Sequence, residues 1–458
     1  MKEENMYTPL VDESEWLKKY PDVDREYVWS YPLIHENNIF SPQSIFEISD
    51  IPMASYDTVV YVHVPACLFR CPMCPFYVEL INNRTELDGY GDTIIKELMM
   101  YEKSPIISKL QVKSIYFGGG TASLLPAKDI GKIISQIRKV FSIKEEIEIT
   151  VEGHPAVVDY NYLSEIRQYG VNRVSFGIQS FNDATLKSLG LRQTKEANIS
   201  AIQNSKKVGF YTVATDMLYR TPNQTIDDLE NQLKTFYNFG VNSISAYSLE
   251  LSVRQGSLSK DQPNEEIDKE MFYYINNFFN EKGWDHTAQP DYAQRSHVQK
   301  EILVTWKAPQ GQTIGLGAGA CSSFNGVNYY NVHNMSEYHR VVNEGCLPVL
   351  TGQKYTIEDA MSRYAVLGAR CFFLSYSEFK KVFGMEFEQA FSPVVDLLEF
   401  QGLVRRTIDG VEVTKKGKYY VDNISKSFYS IANRCHLQPW GEKMNGAVAE
   451  KYLKISTL

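Results

Sequence analysis

The sequence predicts an α/β fold, a partial (βα)6 barrel of TIM type with a small helical, winged-helix-like domain after it. Two observations predict the barrel. Strand-like apolar runs alternate with helical stretches between about residues 58 and 251, the rhythm of βα units on a parallel sheet. Every unusual motif in that span also falls just after a strand, where open α/β sheets and barrels bind their ligands.

The first strand is TVVYVHV (58–64), a β-branched run that ends at Pro65. YGDTIIKELMMYEK then leads to VKSIYFGG (112–119), and AKDIGKIISQIRKVF to EIEITVEG (146–153). YLSEIRQYG leads to NRVSFGIQS (172–180), EANISAIQNSKKVG to YTVATDMLYR (211–220), and TIDDLENQLKTFYNFG to VNSISAYSLEL (241–251). Six strands are too few for a closed eight-fold barrel and enough for an open one. Residues 1–55 show no sustained period and read as an N-terminal arm that wraps a later domain; 56–251 form the core. Residues 252–354 extend it, with the helical NEEIDKEMFYYINNFFNEKG and the glycine-rich turn TIGLGAGACSSF (313–324). Residues 355–425 form the small C-terminal domain, with helical patterns around 357–373 and 389–401 and two short strands flanking a turn at Asp409-Gly410. Residues 426–458 are a tail in which Cys435, His436 and Trp440 read as packing.

The chain has 458 residues and a formal charge of -8, which argues against a general affinity for nucleic acid and for a small-molecule substrate. The winged-helix-like segment therefore reads as a structural or substrate-covering lid. The acidic start has no apolar core and no run is long enough to span a bilayer, so a cytoplasmic protein without membrane contact is expected.

Three of the seven cysteines, Cys67, Cys71 and Cys74, form a C-x3-C-x2-C loop directly after the first strand. Thiolates suit iron-sulfur clusters and zinc alike. A structural zinc site closes with four ligands, commonly two separated pairs, and no second pair follows here. Three thiolates on a 4Fe-4S cluster leave one iron free to chelate a small molecule, S-adenosylmethionine (SAM) being the candidate. Phe69, Phe76, Tyr77, Pro72 and Pro75 make the loop stiff and dry, which shields a cluster from water.

YVHVPACLFRCPMC followed by Phe76 resembles the radical SAM family of oxygen-independent coproporphyrinogen III dehydrogenase, whose loop reads Y-x-H-x-P-x-C-x3-C-x2-C. The resemblance runs over roughly 56–425. It implies a 4Fe-4S cluster on Cys67, Cys71 and Cys74, SAM as cofactor in two copies, a flavodoxin- or ferredoxin-type electron donor, and a monomer. Gly118, Gly119, Gly120 and Thr121 then match the motif at the methionine end of SAM, with Ala122 in place of the usual proline. Glu152 matches the glutamate for the SAM amino group. Gln179 and Arg192 match contacts to the ribose and carboxylate, and Asp216 a ribose partner. Tyr61, Ser248 and the turn holding Gly317 and Ala318 match further SAM contacts, the last at a second SAM.

Three departures from the family pattern stand out. Pro75-Phe76 replaces a fourth cysteine, Gly153-His154 follows the glutamate, and Arg220-Thr221-Pro222 replaces G-L-P. They place His154 and Arg220 among the candidate catalytic residues and favour, within the family, a class C methyltransferase or cyclopropanase that uses a second SAM on an sp2 carbon. Anaerobic haem or porphyrin chemistry is the alternative, and a non-catalytic haem carrier of the same fold a third reading.

Overall fold

In the computed structural model the described residues are 20–24, 27–34, 40–47, 49–74, 76–102, 104–250, 261–430 and 433. The tail positions Cys435, His436 and Trp440 lie outside them. Six parallel strands follow the predicted rhythm: β1 (Asp57–Val64), β2 (Gln111–Gly119), β3 (Glu148–Gly153), β4 (Arg173–Gln179), β5 (Thr212–Tyr219) and β6 (Ser243–Ser248). The crossovers are helices α1 (Tyr90–Tyr101), α2 (Ala127–Val140), α3 (Tyr160–Gln168), α4 (Lys195–Val208) and α5 (Ile226–Asn238). Local signals set their ends. Thr194 caps α4 through Ala197 N–H and Gly209 ends it at φ 86°; Thr225 and Asp228 form a capping box at the start of α5.

The parallel run has a seventh member where the sequence predicts a glycine-rich turn. β7 (Gln312–Leu316) pairs parallel with β1 on the side away from β2, Val60 opposite Ile314 and Val62 opposite Leu316. Antiparallel strands extend both edges: the hairpin Asp285–Ala288 and Asp291–Ala293 beside β6, and the meander Cys321–Phe324, Val327–Asn331 and Val349–Lys354 beyond β7. The whole is one twelve-stranded mixed sheet.

Side-chain alternation along the strands builds two environments. Val60, Val62, Val64, Ile115, Phe117, Ile149, Val151, Val174, Phe176 and Ile178 face the helices and belong to the main apolar core. Their neighbours Tyr61, His63, Tyr116, Gly118, Glu152, Gly177, Gln179 and Asp216 take the opposite face, inside the curve of the sheet.

Residues 357–427 form the C-terminal unit, with helices Ile357–Ala369, Tyr376–Phe383 and Phe387–Phe400 and a three-stranded antiparallel sheet whose hairpin is Val404–Arg406 and Gly410–Val413. Its core contains Val28 and Tyr31 from the N-terminal arm and Trp306 from the barrel side. The arm is pinned by a buried Asp24–Lys426 ion pair at 2.6 Å and by Val28 N–H donating to Asp422. Arg370, fully buried, bonds Asp422 and donates to the Gln289 carbonyl while its guanidinium lies 3.9 Å over Tyr27 and 4.8 Å over Trp306. Arm, barrel and C-terminal unit thus meet at one cation. No described helix is long and apolar enough to cross a membrane.

Candidate active site

The cysteine loop leaves β1 at Pro65 and returns through a two-residue parallel ladder, Ala66 opposite Glu79 and Cys67 opposite Leu80. Cys74 N–H donates to the Cys71 carbonyl at 3.0 Å, a tight turn that sets these two thiols on one loop. Each thiol is surrounded differently. The Cys67 thiol lies 3.3 Å from Thr121 Oγ1, Cys74 receives the Phe76 N–H, and Cys71 has only the field of Arg192 and the other two thiols; burial pushes all three up, Cys71 to about 11. A metal that binds buried thiols such as these takes them as thiolates. Among the described residues no three His, Cys, Asp or Glu side chains converge at the spacing of a single metal ion. A four-iron cube carries its three thiolates on separate corners, farther apart than that, and this soft, shielded donor set fits it.

The glycine triplet after β2 is explained position by position. A Cβ at Gly118 would stand 3.0 Å from Glu152 Oε2 and 3.0 Å from the Tyr61 ring; at Gly119, whose φ is +114°, 2.8 Å from the Val64 carbonyl; at Gly120, 2.7 Å from the Pro65 carbonyl and 2.9 Å from Cys67 Sγ. The three glycines therefore seat the glutamate, the end of β1 and the cysteine loop against one another.

Glu152 is held by Tyr116, whose hydroxyl donates to its Oε1 at 2.7 Å. Tyr116 was missed in the sequence, although it shares the parity of Gly118 on β2 and so faces the same interior. Tyr61 stacks on Tyr116 with its own hydroxyl 3.0 Å from His63 Nδ1. Around Glu152 the interior is acidic: burial, with Glu152 and Asp291 nearby, pushes Asp216 to about 8, and burial pushes Asp291 to about 6. Such a chamber favours a cationic ligand, and the sulfonium and ammonium of SAM supply that charge.

Gln179 ends β4 with φ 65° and a buried Oε1 that has no partner among the described residues. A non-glycine residue in the left-handed region with an orphaned acceptor is strain and unmet hydrogen bonding at one point, as at ligand sites. Arg192 lies 4.8 Å from the Phe69 ring centroid, and His154 meets the same ring edge-on at 5.2 Å, so both border the cysteine loop. His154 Nδ1 accepts from Ala156 N–H, and burial lowers the ring to about 4. It is therefore a neutral imidazole with its proton on Nε2.

Four of the candidate residues are otherwise engaged. Arg220 donates from Nε to the Pro263 carbonyl at 2.9 Å and pairs with Glu250 at 3.2 Å. Its φ is +57°, so the position that is glycine in the family pattern keeps glycine-like backbone while its side chain anchors the following loop. The Ser248 hydroxyl donates to Asp268 at 2.7 Å, pointing to helix α6 (Glu265–Glu281). Gly317 N–H donates to Glu97 and Ala318 N–H to the Tyr90 hydroxyl, both at 2.8 Å, so these donors are spent on tying β7 to α1.

Residues 61–236 match the radical SAM superfamily. This is a radical SAM enzyme, with a 4Fe-4S cluster and SAM as its cofactors. Within the superfamily the chain is similar over most of its length to oxygen-independent coproporphyrinogen III oxidases and to haem chaperones. It is 25% identical over 448 residues to oxygen-independent coproporphyrinogen III oxidase of Synechocystis, covering 92% of this chain and 95% of the relative. It is 24% identical over 381 residues to the haem chaperone HemW of Lactococcus lactis, covering 80% and 96%. The coproporphyrinogen III oxidase HemN of Escherichia coli shares the fold, with a TM-score of 0.75 at 22% identity over 89% of this chain and 99% of that one.

These relatives overturn the methyltransferase or cyclopropanase reading: they carry haem and porphyrin names. One of the features that favour that reading, Arg220, anchors the following loop through Pro263 and Glu250.

Proposed function

We propose that this enzyme turns SAM cleavage on a tetrapyrrole, either a porphyrinogen or haem. The observation that carries the reading is the length of the similarity: a relative named for coproporphyrinogen matches more than nine-tenths of the chain, C-terminal unit included. When bound and reduced, the 4Fe-4S cluster supplies the electron that splits SAM into methionine and a 5'-deoxyadenosyl radical. The protein's part is binding, orientation and exclusion of water. Cys67, Cys71 and Cys74 hold the cluster. Glu152, seated by Tyr116 and Gly118, takes the SAM ammonium; Gln179 Oε1 and Asp216 take hydroxyls of the ribose, and Arg192 the carboxylate. His154, neutral and beside Phe69, offers a hydrogen-bond donor on the substrate side. Above the loop, Trp29 of the arm meets Phe76 at 5.7 Å, and Tyr27 meets Trp29 at 4.2 Å. Trp29 and Phe76 are both about half exposed and offer flat apolar surface to a conjugated ring.

A small-molecule substrate, a flavodoxin- or ferredoxin-type donor and a second SAM beside the β7 turn accompany this reading. The test is anaerobic incubation of reconstituted protein with SAM, dithionite and a panel of tetrapyrroles, followed by mass analysis. Conversion of coproporphyrinogen III or haem to a new product is expected. Tight stoichiometric haem binding without SAM cleavage would instead assign a carrier, as the name of the Lactococcus relative suggests.

A further inference from the structure

Thr121 directly follows the glycine triplet and stands at the N-cap of the short 3-10 turn Ala122–Leu124. Threonine at such a position ordinarily turns its hydroxyl onto the backbone N–H groups of the next turn. Here the side chain makes no capping bond. The hydroxyl lies instead 3.3 Å from Cys67 Sγ.

The geometry around this pair is fixed from both sides. Gly120 N–H donates to the Val64 carbonyl at 2.8 Å, fastening the end of β2 to the end of β1. The space beside Gly120 is too small for a Cβ, which would meet Cys67 Sγ at 2.9 Å. The sulfur is therefore pressed against the main chain that carries Thr121, and Cys67 is the most buried of the three thiols.

As free groups either the thiol or the hydroxyl could donate. A cysteine that ligates iron has lost its proton, so in the loaded protein the hydroxyl must be the donor. A hydrogen bond to a ligating sulfur stabilises the more electron-rich, reduced cluster and raises its potential.

We propose that Thr121 is a positioning residue that acts through Cys67, its hydroxyl donating to the ligating sulfur and making the cluster easier to reduce. This rests on the reading that Cys67 is a cluster ligand. The hydroxyl oxygen keeps its lone pairs, so the bond to sulfur leaves it free to accept from a bound ligand as well. Among the described residues neither of the other sulfurs has a side-chain donor of this kind: Cys74 receives the main-chain N–H of Phe76, and Cys71 feels charge alone. A side-chain substitution can therefore remove this one bond alone.

The test is a redox titration of the reconstituted full chain by electron paramagnetic resonance, with Thr121→Val and Thr121→Ser beside the wild type and Cys67→Ala as a control. Thr121→Val is expected to shift the midpoint to more negative potential, with Thr121→Ser restoring most of the difference. Equal midpoints in wild type and Thr121→Val would overturn the inference. If Thr121→Val and Thr121→Ala both fail to retain the cluster while Thr121→Ser retains it, the hydroxyl is needed at the sulfur and the inference stands. Loss of the cluster in all three substitutions overturns it. A full cluster with unchanged signal in Cys67→Ala would show that the ligand assignment itself had failed, a result separate from either outcome at Thr121.

Discussion

Tyr116 donates its hydroxyl proton to Glu152 Oε1 across 2.7 Å, in the interior of the sheet and beside the glycine triplet. Burial pushes the glutamate up, and the bonds from Tyr116 and from Gly119 N–H pull it back toward the charged form. Glu152 can hold a cation only while ionised. Tyr116→Phe removes one of those bonds, so the carboxyl rises further and the acid limb of SAM binding moves to higher pH. About tenfold weaker binding near neutral pH is expected, from a bond to a charged group worth about 1.5 kcal/mol. Calorimetric titration of SAM across pH checks it, and an unmoved limb would detach Tyr116 from Glu152.

Two of the three glycines have separable tasks. Gly118→Ala puts a methyl against Glu152 Oε2 and the Tyr61 ring, so SAM affinity should fall while iron content stays full. Gly120→Ala puts it against two carbonyls and Cys67 Sγ, so iron content itself should fall. Iron and sulfide analysis followed by SAM titration separates the two, and identical phenotypes would count against the assignment.

Asp216 gives a pH signature. Its carboxyl is raised from 3.8 to about 8 in the folded chain, mainly by burial and then by Glu152 and Asp291. A raised carboxyl favours the fold fully below its unfolded pKa, and that contribution is lost as pH rises through about 8. Asp216→Asn stays neutral, so without SAM its melting temperature should gain on the wild type's as pH rises from about 4 and level off above about 8. A margin independent of pH would contradict the burial of a titrating carboxyl.

The arm is held by charge as well as by packing. Asp24 and Lys426 are both 3% exposed and 2.6 Å apart. Removing one partner of a buried pair leaves the other uncompensated, at a cost of about 3–5 kcal/mol. Lys426→Met should therefore lower the denaturation midpoint strongly, and Asp24→Asn combined with it should recover part of the loss. Additive losses in the double variant would show that the pair is not coupled.

The sequence made the six βα units legible because their strands are apolar and β-branched and their helices carry clear caps. β7 was not, since Gly315 interrupts its short apolar run and its partner β1 lies some 250 residues earlier in the chain. The strand-end residues Glu152, Gln179 and Asp216 were visible from position alone, and all three face the interior. What position could not give is how a side chain is already occupied: Arg220 by Pro263 and Glu250, Ser248 by Asp268, the Gly317 and Ala318 amides by α1. Tyr27, Trp29 and Arg370 also escaped notice, because distant contacts bring them together and no local pattern marks them.

Service of a tetrapyrrole by this radical SAM site has a direct readout. It is tested most directly by quantifying 5'-deoxyadenosine from reconstituted protein with SAM and dithionite, with and without coproporphyrinogen III or haem, against Cys71→Ala. Slow cleavage by the wild type alone is expected, with a several-fold rise with at least one tetrapyrrole and none in the variant. No rise with any tetrapyrrole, or cleavage that survives in Cys71→Ala, would contradict it.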